Sequence, residues 1–100
     1  MSRLPSHKLK QYLERPEGEL DLHGLNRFEA ETEVSDFLEK ALVLGWKNVK
    51  IITGRGLNSP DGQGILKTHV QNYLQNRSYR FRLAKGSEGG PGSLIVELSW

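Results

Sequence analysis

Two side chains that can transfer a proton lie two residues apart near the start of the chain. Asp21 and His23 alternate with leucines in the segment Glu19–His23, a pattern typical of a β-strand. Side chains two apart on a strand share a face, so the carboxylate and the imidazole would lie about 6–7 Å apart. The carboxylate could then orient the imidazole as a general base or acid toward water or a ribose hydroxyl. The alternative is a surface pair that caps a turn.

A glycine-rich segment, residues 54–64, could hold a phosphate. Glycines let backbone amides approach an anion closely, and Arg55 adds a planar donor fork suited to phosphate. The candidate contacts are Gly54, Arg55, Gly56, Asn58 and Ser59. The spacing excludes a Walker A loop, which requires a lysine here, and a dinucleotide fingerprint, which requires a third glycine at Ser59. The alternative is a connector whose glycines only make turns.

The net positive charge is concentrated in the second half of the chain. The whole chain has a formal charge of +2 and a pI near 9, too little for a tail built only to coat nucleic acid. Residues 51–100 nevertheless carry six basic and three acidic side chains. Lys50, Arg80 and Arg82 could extend a phosphate-binding track along predicted strands. The alternative for the two arginines is a solvated strand.

Several classes of protein and site are excluded or disfavoured by composition. The 100 residues suffice for one domain, and the absence of cysteine removes disulfides, thiolate catalysis and sulfur-bound zinc. No metal-ligand motif occurs, so no cofactor or metal is predicted as obligatory, with Mg²⁺ on Asp21 left open. No apolar run approaches the roughly 20 residues of a membrane helix, and no secretion signal is visible. We expect a cytoplasmic protein.

Hydrophobic periodicity divides the chain into a helical leader, residues 1–18, and a domain, residues 19–100. The leader predicts a short helix with Leu9, Tyr12 and Leu13 on one side. In the domain, the hydrophobic pattern predicts strands over 19–23, 49–53, 79–83 and 94–98. The first helix follows Asn26, which forms a capping-box pattern with Glu29, and the second carries the apolar stripe that starts at Leu66.

The element order β-α-β-α-β-β predicts an α+β two-layer sandwich with a four-stranded mixed sheet and both helices on one face. A right-handed crossover makes the first two strands parallel, so His23 and Gly54 would leave the same edge of the sheet. The other face of the sheet would expose a mixed, mainly positive set of side chains. These are Asp21, His23, Lys50, Ile52, Arg80, Arg82, Ile95 and Glu97.

Four short motifs together resemble the Smr (small MutS-related) domain family. They are Leu20–Gly24 (LDLHG), Glu29-Ala30, Ile52–Gly56 (ITGRG) and Gly89–Gly92, and the resemblance covers about residues 19–98. It implies a fold similar to the C-terminal domain of bacterial translation initiation factor three. It also implies nicking or endonuclease activity on DNA or RNA, in some members on messenger RNA at stalled ribosomes.

The resemblance also implies roles for individual residues. Asp21 and His23 would be the catalytic pair, and Gly54, Arg55 and Gly56 would hold the substrate backbone. Many family members have a histidine where this chain has Asn58, and an amide can donate a hydrogen bond but cannot relay protons. Two hypotheses follow: an endonuclease that cleaves a phosphodiester by His/Asp acid–base chemistry, and a non-catalytic module that binds nucleic acid or a ribosome. The oligomeric state is not predicted.

Overall fold

In the part of the chain that the structure describes, four strands and two helices follow one another in the predicted order. The computed structural model describes residues 16–54, 65–88 and 90–98 of the chain. The elements are β1 (Gly18–Asp21), α1 (Arg27–Leu44), β2 (Asn48–Ile52), α2 (Ile65–Asn76), β3 (Arg80–Leu83) and β4 (Ser93–Glu97). Two 3-10 turns, Gly86–Glu88 and Gly90–Gly92, join β3 to β4. The predicted leader helix lies outside the described residues.

The four strands form one mixed sheet in the order β1-β2-β4-β3. β1 and β2 are parallel, and β4 runs antiparallel to both β2 and β3. The predicted mixed sheet and the parallel first pair are therefore confirmed. β4 lies between β2 and β3, so its residues have a neighbouring strand on both sides.

Local signals at both ends fix the length of α1. The Asn26 side chain accepts a hydrogen bond from the Glu29 N–H at 2.8 Å, and the Glu29 carboxylate accepts one from the Asn26 N–H at 3.0 Å. This is the predicted capping box, which satisfies two helix-end donors. Gly45 ends the helix in the left-handed conformation, with φ of 74°.

Neither helix of the described residues combines the length and the hydrophobicity that a membrane span requires.

One hydrophobic core joins both helices to a single face of the sheet. The fully buried side chains from the helices and strands form one cluster, which includes Ala30, Val34, Leu38, Val49, Ile51, Val70, Leu74, Leu94 and Val96. The predicted two-layer sandwich with both helices on one face is thereby confirmed. Leu42, near the end of α1, is 43% exposed and does not belong to this cluster.

The opposite face of the sheet is less exposed than predicted. Ile95 is fully buried, although it does not belong to the core cluster. It lies in the middle of β4, directly opposite Lys50 on β2 and Arg82 on β3. A central position between two long aliphatic stems favours burial of an isoleucine, so this part of the prediction was wrong.

Gly18 at the start of β1 is required by close packing. A Cβ at this position would overlap the Trp46 ring, which in turn packs on Phe37 with ring centroids 6.1 Å apart. We expect Gly18→Ala to lower the free energy of unfolding by about 1–3 kcal/mol, because the tryptophan must shift. Gly86→Ala is the matched control, since no atom lies within 4 Å of its Cβ position. Equal urea midpoints for both variants would contradict this account of Gly18.

Candidate active site

The predicted convergence of two strand ends is present in the fold. Asp21 on β1 lies opposite Ile52 on β2, and the Leu22 N–H donates to the Ile52 carbonyl at 2.8 Å. His23 and Gly54 therefore leave the sheet at the same edge. Ligands of open α/β sheets bind beyond this end of parallel strands. The edge is the candidate active site.

The side chains of Asp21 and His23 are in direct contact. The Asp21 Oδ1 atom accepts one hydrogen bond from the His23 backbone N–H at 3.0 Å and another from the imidazole Nδ1 at 2.8 Å. β1 ends at Asp21 rather than at His23, so the predicted end of this strand was wrong. The physical reason is that an aspartate can bond to the backbone two residues on and replace the ladder by a turn.

Buried Leu22 anchors this turn. Its side chain is fully buried in the core, while Asp21 and His23 are exposed on either side of it. The Leu25 N–H then donates to the Leu22 carbonyl at 3.1 Å, and Gly24 takes φ of 81°, a conformation that favours glycine. The apolar anchor and the tight turn together hold the two polar groups at the edge.

The orientation of the imidazole follows from its partner. A carboxylate accepts hydrogen bonds and does not donate them, so the Nδ1 atom of His23 carries the hydrogen toward Asp21. In the neutral ring this leaves a lone pair on Nε2, the arrangement of a general base. The His23 side chain is 78% exposed, so a substrate can reach it.

Hydrogen bonding also sets the ionisation of Asp21. The His23 backbone N–H, and after it the imidazole, hold the pKa of Asp21 below its ordinary value of 3.8. The side chains of the pair are 78% and 48% exposed, and exposed pairs stabilise a fold little. The contact therefore orients the ring more than it stabilises the fold.

The lowered pKa of Asp21 gives a testable pH dependence. Because folding lowers this pKa, the ionised carboxylate favours the folded chain above pH 3.8, and that contribution is lost as the pH falls through the folded-state pKa. In a carboxyl-carbon NMR titration we expect Asp21 to titrate below 3.8, and His23→Ala to move the pKa only part of the way back, since the backbone N–H remains. Titration of Asp21 above 3.8 would contradict the bonding described.

The start of the glycine-rich segment is tied to the turn before β4. The Thr53 and Gly54 N–H groups both donate to the Gly92 carbonyl, at 2.8 and 3.1 Å, and Thr53 is buried. The amide of Gly54 therefore has a partner within the chain, and its φ of 84° makes the turn. The sequence analysis did not predict this link. The pattern that could have indicated it is a threonine followed by a glycine at the end of a strand.

The other predicted residues of the glycine-rich segment lie outside the described residues. They are Arg55, Gly56, Asn58 and Ser59. We predicted that backbone amides of this segment contact a phosphate. For the residues after Gly54, this stays a prediction.

The predicted basic residues share one face of the sheet with Asp21. Lys50, Ile95 and Arg82 form one row across the strands, and Arg80 lies one row away, opposite Glu97. Directly paired residues point to the same face, which here is the face opposite the helices. Asp21 belongs to this face through its pairing with Ile52, so the basic face continues to the candidate active site.

Lys50 is partly enclosed and close to an acidic side chain. Its side chain is 18% exposed, and its Nζ lies 3.9 Å from the Glu19 carboxylate. Arg80 is exposed, and the Arg82 guanidinium donates to the Leu83 carbonyl at 3.4 Å. Arg80 is therefore better placed than Lys50 for contact with a polyanion.

Comparison with known proteins defines the family. The family model of the Smr domain matches residues 20–99 of the 100, the part of the chain that forms the sheet, both helices and the sheet edge. The chain belongs to the Smr domain family. Its fold and its LDLHG motif at the edge of the sheet had indicated the same family.

The relatives found by sequence are much longer than this chain. The chain is 38% identical over 81 residues to the endonuclease MutS2 of Caldanaerobacter subterraneus subsp. tengcongensis, covering 79% of the chain. It is 37% identical over 98 residues to the endonuclease MutS2 of Brevibacillus brevis, covering 94% of the chain. The chain spans about a tenth of the length of these relatives, 10% and 12%.

Solved structures agree with the fold. The Smr domain of Thermus thermophilus MutS2 superposes with a TM-score of 0.71 at 32% identity, covering 82% of this chain and 98% of that domain. The human small-MutS related domain gives 0.65 at 37% identity, with 81% and 100% covered. YdaL of Escherichia coli, a stand-alone small MutS-related protein, gives 0.74 at 24% identity, with 97% and 79% covered, and supports the fold alone.

Proposed function

We propose that this chain is an endonuclease domain that nicks the phosphodiester backbone of DNA or RNA in the cytoplasm. The observation that carries the proposal is the 2.8 Å contact between the His23 Nδ1 and the Asp21 carboxylate, at an exposed sheet edge continuous with a basic face. The relatives named endonuclease MutS2 support the same chemistry.

His23 acts on the attacking oxygen in this proposal. Its Nε2 accepts the proton of a water or a ribose 2′-hydroxyl, the oxygen attacks phosphorus, and the bond to the leaving oxygen breaks. The attacking and leaving oxygens lie roughly in line on opposite sides of phosphorus, so one imidazole serves one of them. Asp21 keeps the ring in the tautomer that can accept the proton, and solvent protonates the leaving oxygen.

The described residues offer few ligands for a divalent cation. Among residues 16–54, 65–88 and 90–98, no group of three or more His, Asp or Glu side chains could hold a metal ion. If Mg²⁺ assists, Asp21 would be the residue that holds it, and the ion would supply positive charge to the phosphate. A chelator arm in the assay separates the metal-assisted reaction from the metal-independent one.

A nicking assay tests the proposal. The purified chain is incubated with supercoiled DNA, branched DNA and structured RNA, with Mg²⁺ and with chelator. We expect relaxed circles or shortened strands from at least one substrate class. Retained binding with no product under any condition would defeat the nuclease and favour the module that binds without cutting, an alternative that Asn58 in place of a histidine also favours.

A further inference from the structure

A groove runs between the two helices. It consists of two adjoining cavities, of about 450 and 300 Å³, that share Ser35, Tyr73 and Arg77 as lining residues. We refer to it as the helical groove. It lies in the helix layer, whereas Asp21 and Lys50 are on the other side of the sheet. The groove is therefore separate from the candidate active site.

The α1 side of the groove has an exposed apolar residue at each end. Phe28, Ser35 and Leu42 are seven residues apart and share one side of the helix. Phe28 is 80% exposed and Leu42 is 43% exposed. At about 1.5 Å per residue, they mark a channel roughly 21 Å long, with a small serine at its centre. This shape fits the apolar face of a short amphipathic helix.

The charge of the groove is opposite to that of the whole chain. Glu31, Asp36 and Glu39 are among its lining residues, whereas the chain has a formal charge of +2. Arg77 is the cation of the lining, and its guanidinium lies 4.8 Å from the centre of the Tyr73 ring. Three carboxylates against one guanidinium favour a basic occupant.

Residues 1–15 of the chain have the composition that this groove requires. They contain four basic residues and one acidic residue, and Leu9, Tyr12 and Leu13 have the i, i+3, i+4 spacing of one helix side. We propose that residues 1–15 dock in the helical groove of the same chain. The three apolar side chains contact the groove, and the basic side chains lie beside its carboxylates. This inference does not depend on the nuclease proposal.

The chain enters the domain at the correct end for this docking. The Glu17 N–H donates to the Asn48 carbonyl at 2.8 Å, and the Lys47 N–H donates to the Glu17 carboxylate at 3.0 Å. Glu17 therefore lies beside the end of α1, where Leu42 closes the groove. Leu13 is four residues before Glu17, about 13 Å of extended chain, enough to cross a helix of about 10 Å diameter.

Hydrogen exchange of the full chain tests the docking. We expect the amides of residues 9–13 to exchange about tenfold more slowly than in the free 1–15 peptide. Glu39→Lys should bring this exchange to within about twofold of the free peptide, because a lysine in the groove repels the basic segment. The amides of β2 report whether the fold is intact in each variant.

Glu33→Lys is the matched control. Glu33 is an exposed acid on α1 that does not line the groove, so the same change of charge there should leave the protection in place. Three results would overturn the proposal: no protection in the unmodified chain, an equal decrease in both variants, or full protection in Glu39→Lys. Protection that rises with protein concentration would also overturn it, since the occupant would then be a second copy.

Discussion

His23→Ala will lower the rate of phosphodiester cleavage by about 10²–10⁴-fold, the usual contribution of a general acid–base residue. Affinity for uncleaved nucleic acid should stay within about twofold, because the basic face is unchanged. The side chain is exposed and its neighbour Leu22 anchors the turn, so the variant keeps the fold. Rates at saturating substrate, compared with binding measured separately, distinguish a defect in catalysis from a defect in substrate binding.

His69→Gln is the matched control for this experiment. His69 is another histidine of the described chain, and its Nε2 lies 3.2 Å from the Glu31 carboxylate, between the helices. Its replacement should leave the cleavage rate unchanged. Equal rates for His23→Ala and the unmodified chain would remove His23 from the mechanism and with it the proposed chemistry.

The pH dependence of the rate distinguishes the two roles that the sequence left open for His23. With the Nδ1 hydrogen directed to Asp21, the ring is arranged as a base, so the rate should rise as the pH is raised. Asp21→Asn should reduce the rate by less than His23→Ala, because the amide oxygen can still accept from Nδ1. A rate that falls as the pH is raised would instead assign His23 to the leaving oxygen.

Local patterns in the sequence were sufficient for most of the fold. The capping box at Asn26, the left-handed stop at Gly45 and the alternation of leucines and valines in the strands depend on neighbours within a few residues. Such signals can be read from spacing alone. The parallel pairing of β1 with β2 followed from the handedness of the connection, which applies to any strand–helix–strand unit.

Features that depend on contacts distant in sequence could not be predicted in this way. The insertion of β4 between β2 and β3 buries Ile95, and periodicity does not specify strand order. The bonds from Thr53 and Gly54 to Gly92 join residues almost forty positions apart, so a glycine motif that looked available for phosphate is partly used within the chain. The end of β1 was missed because an Asx-type turn replaces alternation by side-chain bonding.

Arg80→Glu combined with Arg82→Glu will weaken binding of nucleic acid by about tenfold or more at moderate salt. The two arginines are on the same side of β3, about 6.6 Å apart along the strand. From Arg82 the face extends about 14 Å across three strand spacings to β1, which carries Asp21. A strand of nucleic acid lying across the sheet would therefore meet these arginines and reach the candidate active site.

The salt dependence of binding measures the number of phosphates that the arginines bind. Removing one cation that binds a phosphate lowers the slope of log K against log salt by about 0.9 for duplex DNA and about 0.7 for single strands, so the slope of the double variant should fall by between about 1.4 and 1.8. Lys40→Glu with Lys47→Glu makes the same change of charge at exposed positions off this face, and should leave the slope unchanged. Equal slopes and equal affinities for the two double variants would show that the strand face does not bind the nucleic acid, because net charge alone would then explain the binding.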